Sequence, residues 1–279
     1  MKLGLNLLLW AAQINDSHYP IIASLKDYGF DGVEVPIIQG SVSDYRKLGA
    51  FLQEVGLEAT AVTIVPDHER SPINPDPAKR QLALDHLKHQ TDCCQALGSN
   101  LLVGPFHSPL ARFTGVAATA TERQHAAAVH RELAAYGASA GVGYALEWLN
   151  RFECYFLNTM RDSAAYVELV GHPNFGTMYD TFHGHLEEKS QTRAIAAHAP
   201  FIRHIHVSEN DRGAPGSGQI DFPRILTELK RHNYDRWLVI EAFSPVPELA
   251  GATHVWRDLS SAEEVCRSGA WIRQLWHNA

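Results

Sequence analysis

The stretch YALEWLNRFE, residues 144–153, begins as a short apolar run and ends in charged and amide side chains. Three later stretches have the same form: FGTMYDTFHGH at residues 175–185, IRHIHVSENDRG at 202–213 and WLVIEAF at 237–243. Short apolar runs rich in β-branched and aromatic residues are typical of strands. The four stretches therefore predict four strands, each with its polar residues at the carboxyl end.

The rest of the chain repeats this pattern of a short strand followed by a helix. Strands are predicted at Leu3–Trp10, Gly32–Ile37, Leu57–Val65, Asn100–Val103, Val142–Trp148, Phe175–Tyr179, Ile202–Val207 and Trp237–Ala242. The clearest helices are Ala78–Leu97, Ala120–Ala140 and Ala262–Trp276. Eight strands alternating with eight helices predict an α/β fold, a (β/α)8 TIM barrel. Since no linker or low-complexity segment divides the chain, residues 1–279 are predicted to form a single domain.

Charge and apolar patterning exclude two classes of partner. The chain has 24 Lys and Arg against 31 Asp and Glu, for a net charge of −7. That balance lacks the basic surface that nucleic acids or anionic membranes attract. No apolar run is long enough to span a bilayer. We therefore expect neither a nucleic-acid nor a membrane partner.

The N-terminal sequence MKLGLNLLLWAAQ has some features of a signal peptide. However, Asn6 interrupts its apolar run and the barrel needs a first strand here, so a buried strand is the preferred interpretation. The four cysteines match no zinc-binding spacing and are predicted to be free thiols in a reducing compartment. Both features favour a cytoplasmic protein.

Each of the last four strands ends in one potential metal ligand, namely Glu147, Asp180, His206 or Glu241. A single Glu after a strand is usually a solvated loop residue, and a single His in a strand is usually a hydrogen-bonded core residue. Four consecutive strands ending in the same way favour a shared site, because strand ends converge on one mouth of a barrel. Three carboxylates and one imidazole suit Mn²⁺, Co²⁺ or Mg²⁺ better than a structural zinc ion. We predict one divalent metal ion.

Other histidines lie near these strand ends. His204 precedes His206 by two residues, faces the same side of the strand and is predicted to be a supporting hydrogen-bond partner one layer deeper. His183 and His185 follow the sixth strand into its loop, where they are better placed for substrate than for metal. For His107, in the fourth loop, a position at the mouth and one at the surface both remain open.

The segments EWLNRFE, DTFH, HVSENDRGAPGSG and VIEAF, the last followed by VWRDL, resemble the ketose 3-epimerases. This family comprises D-tagatose, D-psicose and L-ribulose 3-epimerases and belongs to the xylose-isomerase-like TIM-barrel superfamily. The resemblance covers nearly the whole chain and is strongest in its second half. It implies the same four metal ligands, with Mn²⁺ the first choice of metal, and substrate contacts from Glu153, His183 and Arg212.

The first half departs more from the family pattern. Asn6 stands where aromatic residues are frequent, and Val62 and the 105–107 stretch occupy positions that vary. We expect these residues to line the far end of the sugar. The resemblance also implies a small-molecule ketose substrate and a homodimer or homotetramer, but it does not specify the sugar.

Epimerisation of a ketose at C3 removes the proton next to the C2 carbonyl and returns it to the opposite face. A metal ion that binds the two neighbouring oxygens stabilises the resulting enediolate. One acid/base group is then needed on each face. We predict that Glu147 and Glu241 are this pair, acting as both ligands and acid/bases, whereas Asp180 and His206 only hold the metal.

Several alternatives use the same scaffold. An aldose–ketose isomerase of the hydroxypyruvate-isomerase type would move a proton between C1 and C2, and an inosose-dehydratase-like lyase would release water. A metal-dependent DNA-repair endonuclease would need more His ligands and a basic groove, which the net charge of −7 opposes. A metal-binding barrel without catalytic activity is the fourth alternative.

Overall fold

Eight parallel strands close into a barrel in chain order, with the eighth strand paired to the first. The structure is a computed structural model that describes residues 1–279. The strands are β1 Lys2–Asn6, β2 Gly32–Pro36, β3 Glu58–Val62, β4 Leu101–Gly104, β5 Gly143–Leu146, β6 Phe175–Asp180, β7 Ile202–Val207 and β8 Trp237–Ile240. This architecture confirms the predicted TIM-barrel fold class.

Ten α-helices surround the barrel, two more than the pattern predicted. They are α1 Tyr19–Ser24, α2 Val42–Glu54, α3 Pro77–Leu97, α4 Ala120–Ala140, α5 Met160–Val170, α6 Thr181–Glu187, α7 Gln191–His198, α8 Phe222–Arg231, α9 Ala250–Thr253 and α10 Ala262–Asn278. The β6–β7 connection contains two short helices, and α9 forms a single turn after β8. None of the helices combines the length and the apolar character that a membrane crossing requires.

Local signals fix the ends of the longest helices. The hydroxyl of Thr119 accepts the backbone N–H of Glu122 while the Glu122 carboxylate accepts the N–H of Thr119, a reciprocal cap that starts α4. Helices α3 and α4 end at Gly98 and Gly141, whose φ angles of +85° and +73° are left-handed. Glycine adopts this conformation without steric penalty, so both helices stop where the sequence predicted.

The first strand is shorter than predicted because of Asn6. Its side chain accepts the backbone N–H of Leu8 at 2.9 Å, which ends β1 and starts a 3-10 turn over Leu7–Leu9. The turn brings Leu8 to the mouth of the barrel, where it lines the cavity described below. The predicted extension of the strand to Trp10 is therefore wrong.

The register of the sheet brings polar residues to matching heights inside the barrel. On the first three strands, Asn6 pairs with Glu34 and Glu34 pairs with Thr60. On the opposite side, Asp180 of β6 pairs with His206 of β7. All five side chains belong to residues that are almost completely buried. The barrel interior thus carries a polar layer close to its carboxyl-end mouth.

The four cysteines, Cys93, Cys94, Cys154 and Cys266, are buried and unpaired. Burial raises the pKa of each thiol, which keeps all four in the protonated, unreactive form near neutral pH. They pack as small apolar residues, as their spacing indicated.

Candidate metal centre and active site

Four buried side chains meet at the carboxyl-end mouth of the barrel. Asp180 is the last residue of β6 and His206 lies one residue before the end of β7. Glu147 and Glu241 follow directly after β5 and β8. One potential ligand atom from each of the four lies within 4.8 Å of the others. The structure therefore brings together the set of residues that the strand ends predicted.

The distances within this cluster fit a bound cation. Nδ1 of His206 lies 3.3 Å from Oε1 of Glu241, 3.6 Å from Oδ2 of Asp180 and 3.7 Å from Oε1 of Glu147. Ligands about 2.1 Å from one ion are separated from each other by about 3.0–3.6 Å. The same Nδ1 atom is buried and has no hydrogen-bond partner. A nitrogen lone pair and three carboxylate oxygens facing one point are a suitable donor set for a divalent metal ion.

The Asp180 carboxylate is held at both oxygens. Its Oδ1 accepts the backbone N–H groups of Phe182 and His183 at 2.6 and 3.0 Å, so Asp180 also caps the N-terminus of α6. Its Oδ2, which faces the cluster, accepts the hydroxyl of Ser208 at 3.1 Å. Second partners of this kind orient metal ligands in proteins.

Electrostatics also indicate a cation at this point. Burial raises the pKa of the Glu147 carboxyl to about 7. Burial also opposes a charge on His206, but Glu241 and Glu34 raise its pKa well above the usual value. For Asp180, His183 and His206 outweigh burial and hold the pKa well below its usual range. The excess of carboxylates thus requires a positive charge, which a proton or a metal ion can supply.

His183 is buried in the first turn of α6, and its ring nitrogens have distinct roles. Nδ1 accepts the backbone N–H of Asn150 at 3.1 Å. In a neutral imidazole this hydrogen bond places the proton on Nε2. Nε2 faces the cluster, 3.6 Å from Oε1 of Glu147 and 3.5 Å from Nη2 of Arg212.

Arg212 is held in one position by its neighbours. Its guanidinium lies between the rings of Phe182 and Phe243, 4.3 and 5.0 Å from their centroids. Nη1 donates to the carbonyl of Thr253 at 3.0 Å, and Nη2 lies 3.4 Å from Oε1 of Glu153. The backbone φ of Arg212 is +66°, a conformation that a non-glycine residue adopts only when its surroundings enforce it.

A cavity at the mouth is lined by two kinds of residue. Glu147, Glu153, His183, Arg212 and Glu241 contribute the charged and polar groups. The apolar part of the lining consists of Leu8, Ile38, Val62, Ile64, Pro105, Leu110, Leu149, Phe243, Leu249 and Ala252. All the predicted catalytic and substrate-binding residues thus face one space.

Known proteins resemble this chain in sequence and in fold. Residues 22–267 match the family model described as xylose isomerase-like TIM barrel. The ketose 3-epimerase of Arthrobacter globiformis is 30% identical over 279 residues, covering 98% of this chain and 96% of that protein. The chain belongs to the ketose 3-epimerase family. It is accordingly an isomerase, and the family suggested by the sequence motifs is confirmed.

Solved structures agree with this assignment. An L-ribulose 3-epimerase has a TM-score of 0.92 at 26% identity and covers 99% of this chain and 95% of its own. A D-allulose 3-epimerase from Methylomonas sp., solved in complex with D-allulose, has a TM-score of 0.90 at 26% identity, covering 98% and 96%.

The cavity lining of this ketose 3-epimerase family member does not include His204, His107 or His185. His204 is buried beneath His206, the deeper position that was predicted, and its Nε2 lies 2.8 Å from Oε2 of Glu34; neither ring nitrogen makes a hydrogen bond, so the predicted hydrogen-bonding role is not seen. His107 is buried against Phe156 rather than exposed at the surface. His185 is exposed to solvent, so the expectation that it faces the substrate is wrong.

Two buried carboxylates of the site were not predicted from the sequence, and one amide was predicted at the wrong place. Glu34 is fully buried in the middle of β2 and contacts both His204 and His206. Asn6 does not line the far end of the cavity; its amide donates to Glu34 and Glu241. The sequence did carry a signal for Glu34, because GVEVP at residues 32–36 has a carboxylate inside an otherwise apolar strand.

Glu209, the second missed carboxylate, organises the loop that carries Arg212. Its Oε1 accepts the backbone N–H groups of Asn210, Gln219 and Ile220, each at 3.0 Å, and Oε2 accepts that of Gly216 at 2.9 Å. One buried carboxylate thus closes the β7–α8 loop on itself.

Proposed function

We propose that this protein interconverts free ketoses at C3 with the help of one divalent metal ion. The observation that carries the proposal is which members of the four-residue cluster reach the cavity. Glu147 and Glu241 line it, whereas Asp180 and His206 do not. Two carboxylates are therefore placed both beside the metal position and beside the substrate, as an acid/base pair requires.

Glu147, Asp180, His206 and Glu241 would hold a divalent ion, which would supply the positive charge that stabilises negative charge developing beside the carbonyl group. Glu147 removes the C3 proton of one epimer, and Glu241 delivers a proton to the opposite face of the planar carbon. In the reverse direction the two glutamates exchange these tasks. Asp180 and His206 hold the ion and transfer no proton.

The remaining polar groups of the cavity position the substrate. The Nε2–H of His183 faces the cluster and donates to a sugar oxygen bound there. Arg212, clamped between two aromatic rings, presents its guanidinium to an oxygen near C1 or C2. Glu153 accepts the side-chain N–H of Asn150 at 2.8 Å and lies beside Arg212, so it orients both this arginine and a terminal hydroxyl.

A neutral sugar suits this cavity better than a phosphorylated one. Three carboxylates line it, and Arg212 is the single arginine or lysine among the lining residues. That guanidinium already interacts with Glu153 and the carbonyl of Thr253. A phosphate would therefore meet excess negative charge without a free cation to pair with.

The oxygen-rich donor set supports Mn²⁺ as the metal, with Co²⁺ and Mg²⁺ as alternatives. Family membership supports a homodimer or homotetramer. The four unpaired cysteines support a reducing compartment such as the cytoplasm.

The test is product analysis with metal-stripped protein that is reloaded with Mn²⁺. D-tagatose, D-fructose, D-psicose and L-ribulose would each be incubated with it, and the products separated and identified by NMR. The expected product is the C3 epimer of at least one ketose, formed only when metal is present. An aldose would instead indicate an isomerase of the hydroxypyruvate-isomerase type, and a dehydrated product would indicate a lyase.

A further inference from the structure

Glu34 is a charged residue in a place where a charge is costly. It lies in the middle of β2, is 0% exposed and does not line the cavity. Burying a carboxylate costs several kcal/mol unless its oxygens are fully paired. Apolar residues of similar size are often at least as stabilising at such positions. The carboxylate of Glu34 therefore needs an explanation beyond stability.

Both oxygens of Glu34 accept hydrogen bonds, and a second imidazole lies close to one of them. Oε1 lies 2.6 Å from Nε2 of His206 and 3.0 Å from Nδ2 of Asn6. Oε2 accepts the hydroxyl of Thr60 at 2.9 Å and lies 2.8 Å from Nε2 of His204. These partners come from β1, β3 and β7, so Glu34 connects strands on opposite sides of the barrel.

The contact to His206 determines which of its nitrogens is free. An ionised carboxylate only accepts hydrogen bonds, so the 2.6 Å contact requires the proton to be on Nε2. In the neutral ring, the form that can bind a metal ion, Nδ1 then keeps its lone pair, and this is the atom that faces the three carboxylates of the cluster. A carboxylate behind a histidine in this way fixes its tautomer and increases its strength as a ligand.

The contact to Asn6 extends the same control to Glu241. Oδ1 of Asn6 accepts the backbone N–H of Leu8, which can only donate, so the orientation of the amide is fixed. Its Nδ2 must then face the carboxylates, 3.0 Å from Glu34 and 3.1 Å from Oε1 of Glu241. The amide thus joins Glu34 to one of the two proposed acid/base residues.

We propose that Glu34 is a positioning residue that prepares His206 for metal binding and, through Asn6, orients Glu241. It touches neither the substrate space nor the metal position. The metal part of this inference rests on the proposed function, but it does not depend on which sugar is turned over.

The first test is Mn²⁺ affinity of metal-stripped E34Q, measured by EPR titration without any sugar. Gln keeps the shape of Glu34 but loses the charge and replaces one acceptor oxygen by a donor. We expect Mn²⁺ to bind about 10–100-fold more weakly than in the parent protein. Thr60→Val is the matched control, because Thr60 contacts Glu34 but no metal ligand, and its Mn²⁺ affinity should stay close to that of the parent.

Saturating Mn²⁺ separates the two parts of the proposal. Saturating Mn²⁺ compensates for the weaker metal binding of E34Q through His206. Any loss of kcat that remains then reports on the orientation of Glu241. Asn6→Ala should show this kcat loss as well, and it should weaken Mn²⁺ binding less than E34Q does, because it removes a partner of Glu241 but leaves the contact between Glu34 and His206 in place. A merely structural role would instead lower the unfolding temperature of E34Q without changing its Mn²⁺ affinity.

An NMR measurement covers the case in which E34Q does not fold. In Mg²⁺-loaded parent protein with ¹⁵N-labelled histidine, the His206 proton should lie on Nε2 and exchange slowly with solvent. A proton on Nδ1 would overturn the proposal, as would unchanged Mn²⁺ affinity in folded E34Q or a parent protein that binds no divalent metal. Absence of ketose turnover together with weakened Mn²⁺ binding in E34Q would contradict the proposed function but leave the role of Glu34 intact.

Discussion

The two halves of the barrel mouth are built differently. The side formed by β5–β8 carries charged and polar groups that are fixed by partners: Asp180 caps a helix, His206 is hydrogen bonded to Glu34, and Arg212 lies between two aromatic rings. The side formed by β1–β4 presents apolar side chains to the cavity, among them Val62 and Pro105. One half therefore supplies chemistry with fixed geometry, whereas the other supplies shape.

This contrast indicates where selectivity arises. Sites that hydrogen-bond a hydroxyl discriminate strongly against analogues without it, whereas an apolar wall rejects an added hydroxyl only weakly. The polar half should thus fix the reacting end of the sugar, and the apolar half should accept several arrangements at the other end.

Removing the metal should abolish activity, because the carboxylates of the polar half would then lack the positive charge that balances them beside the substrate. Chelated protein should show no turnover above background, and Mn²⁺ should restore it. Mn²⁺ at about 100 times its Kd should add about 2.7 kcal/mol of stability, or about 5 °C in Tm. Calorimetry with and without Mn²⁺ measures this shift; activity that survives complete chelation would contradict the account.

Replacing either proposed acid/base should reduce kcat by about 10²–10⁴. E147Q and E241Q keep the size of the side chain but cannot exchange protons. Steady-state kinetics at saturating Mn²⁺ would separate this effect from weaker metal binding. Substantial epimerase activity in either variant would remove that residue from the mechanism.

Replacing Glu209 should affect the polar half without touching the metal. In the parent protein the Glu209 carboxylate accepts backbone N–H groups. In E209Q an amide N–H would face these same donors, which should cost about 1–3 kcal/mol of stability. KM should rise because Arg212 loses its fixed loop, while Mn²⁺ affinity stays unchanged. Glu263→Gln, which breaks an exposed pair with Arg267, is the control and should change stability by less than about 0.5 kcal/mol.

Changes in the apolar half should have the smallest effect. Val62→Ala removes two carbons from the cavity wall, and the ratio of kcat/KM values for two ketoses should change by about 4–15-fold. Mn²⁺ affinity should not change, since Val62 packs with Val103, Ala145 and Met178 rather than with a ligand. A large loss of metal binding in this variant would show that the apolar lining also supports the metal site.

The sequence predicted the polar half far better than the apolar half. A ligand at the end of each of four consecutive strands is visible as a repeated pattern, because barrel topology brings strand ends together. The apolar lining has no such pattern: Ile64 and Leu110 resemble ordinary core residues, and only the closed barrel shows that they face the cavity, whereas Val62 and Pro105 were expected there from the family resemblance.

Glu34 and Glu209 escaped prediction for a related reason. Their partners lie on other strands or up to eleven residues away, and hydrogen bonds of this kind leave no periodic signal in the sequence. Asn6 was misplaced because the family resemblance puts it at a position that lines the cavity, whereas its side chain turns inwards to Glu34. For Glu34, the carboxylate inside an otherwise apolar strand was the signal that the sequence offered.

The most direct test of the central claim is exchange of the C3 proton in D₂O. With Mn²⁺-loaded protein, the epimer formed should carry deuterium at C3 and at no other carbon. E147Q should form no epimer, but it should still exchange the C3 proton of the epimer whose C3 proton points towards Glu241. E241Q should exchange the C3 proton of the other epimer. Deuterium at C1 or C2, or loss of exchange from both epimers in only one variant, would contradict a pair of glutamates acting on opposite faces.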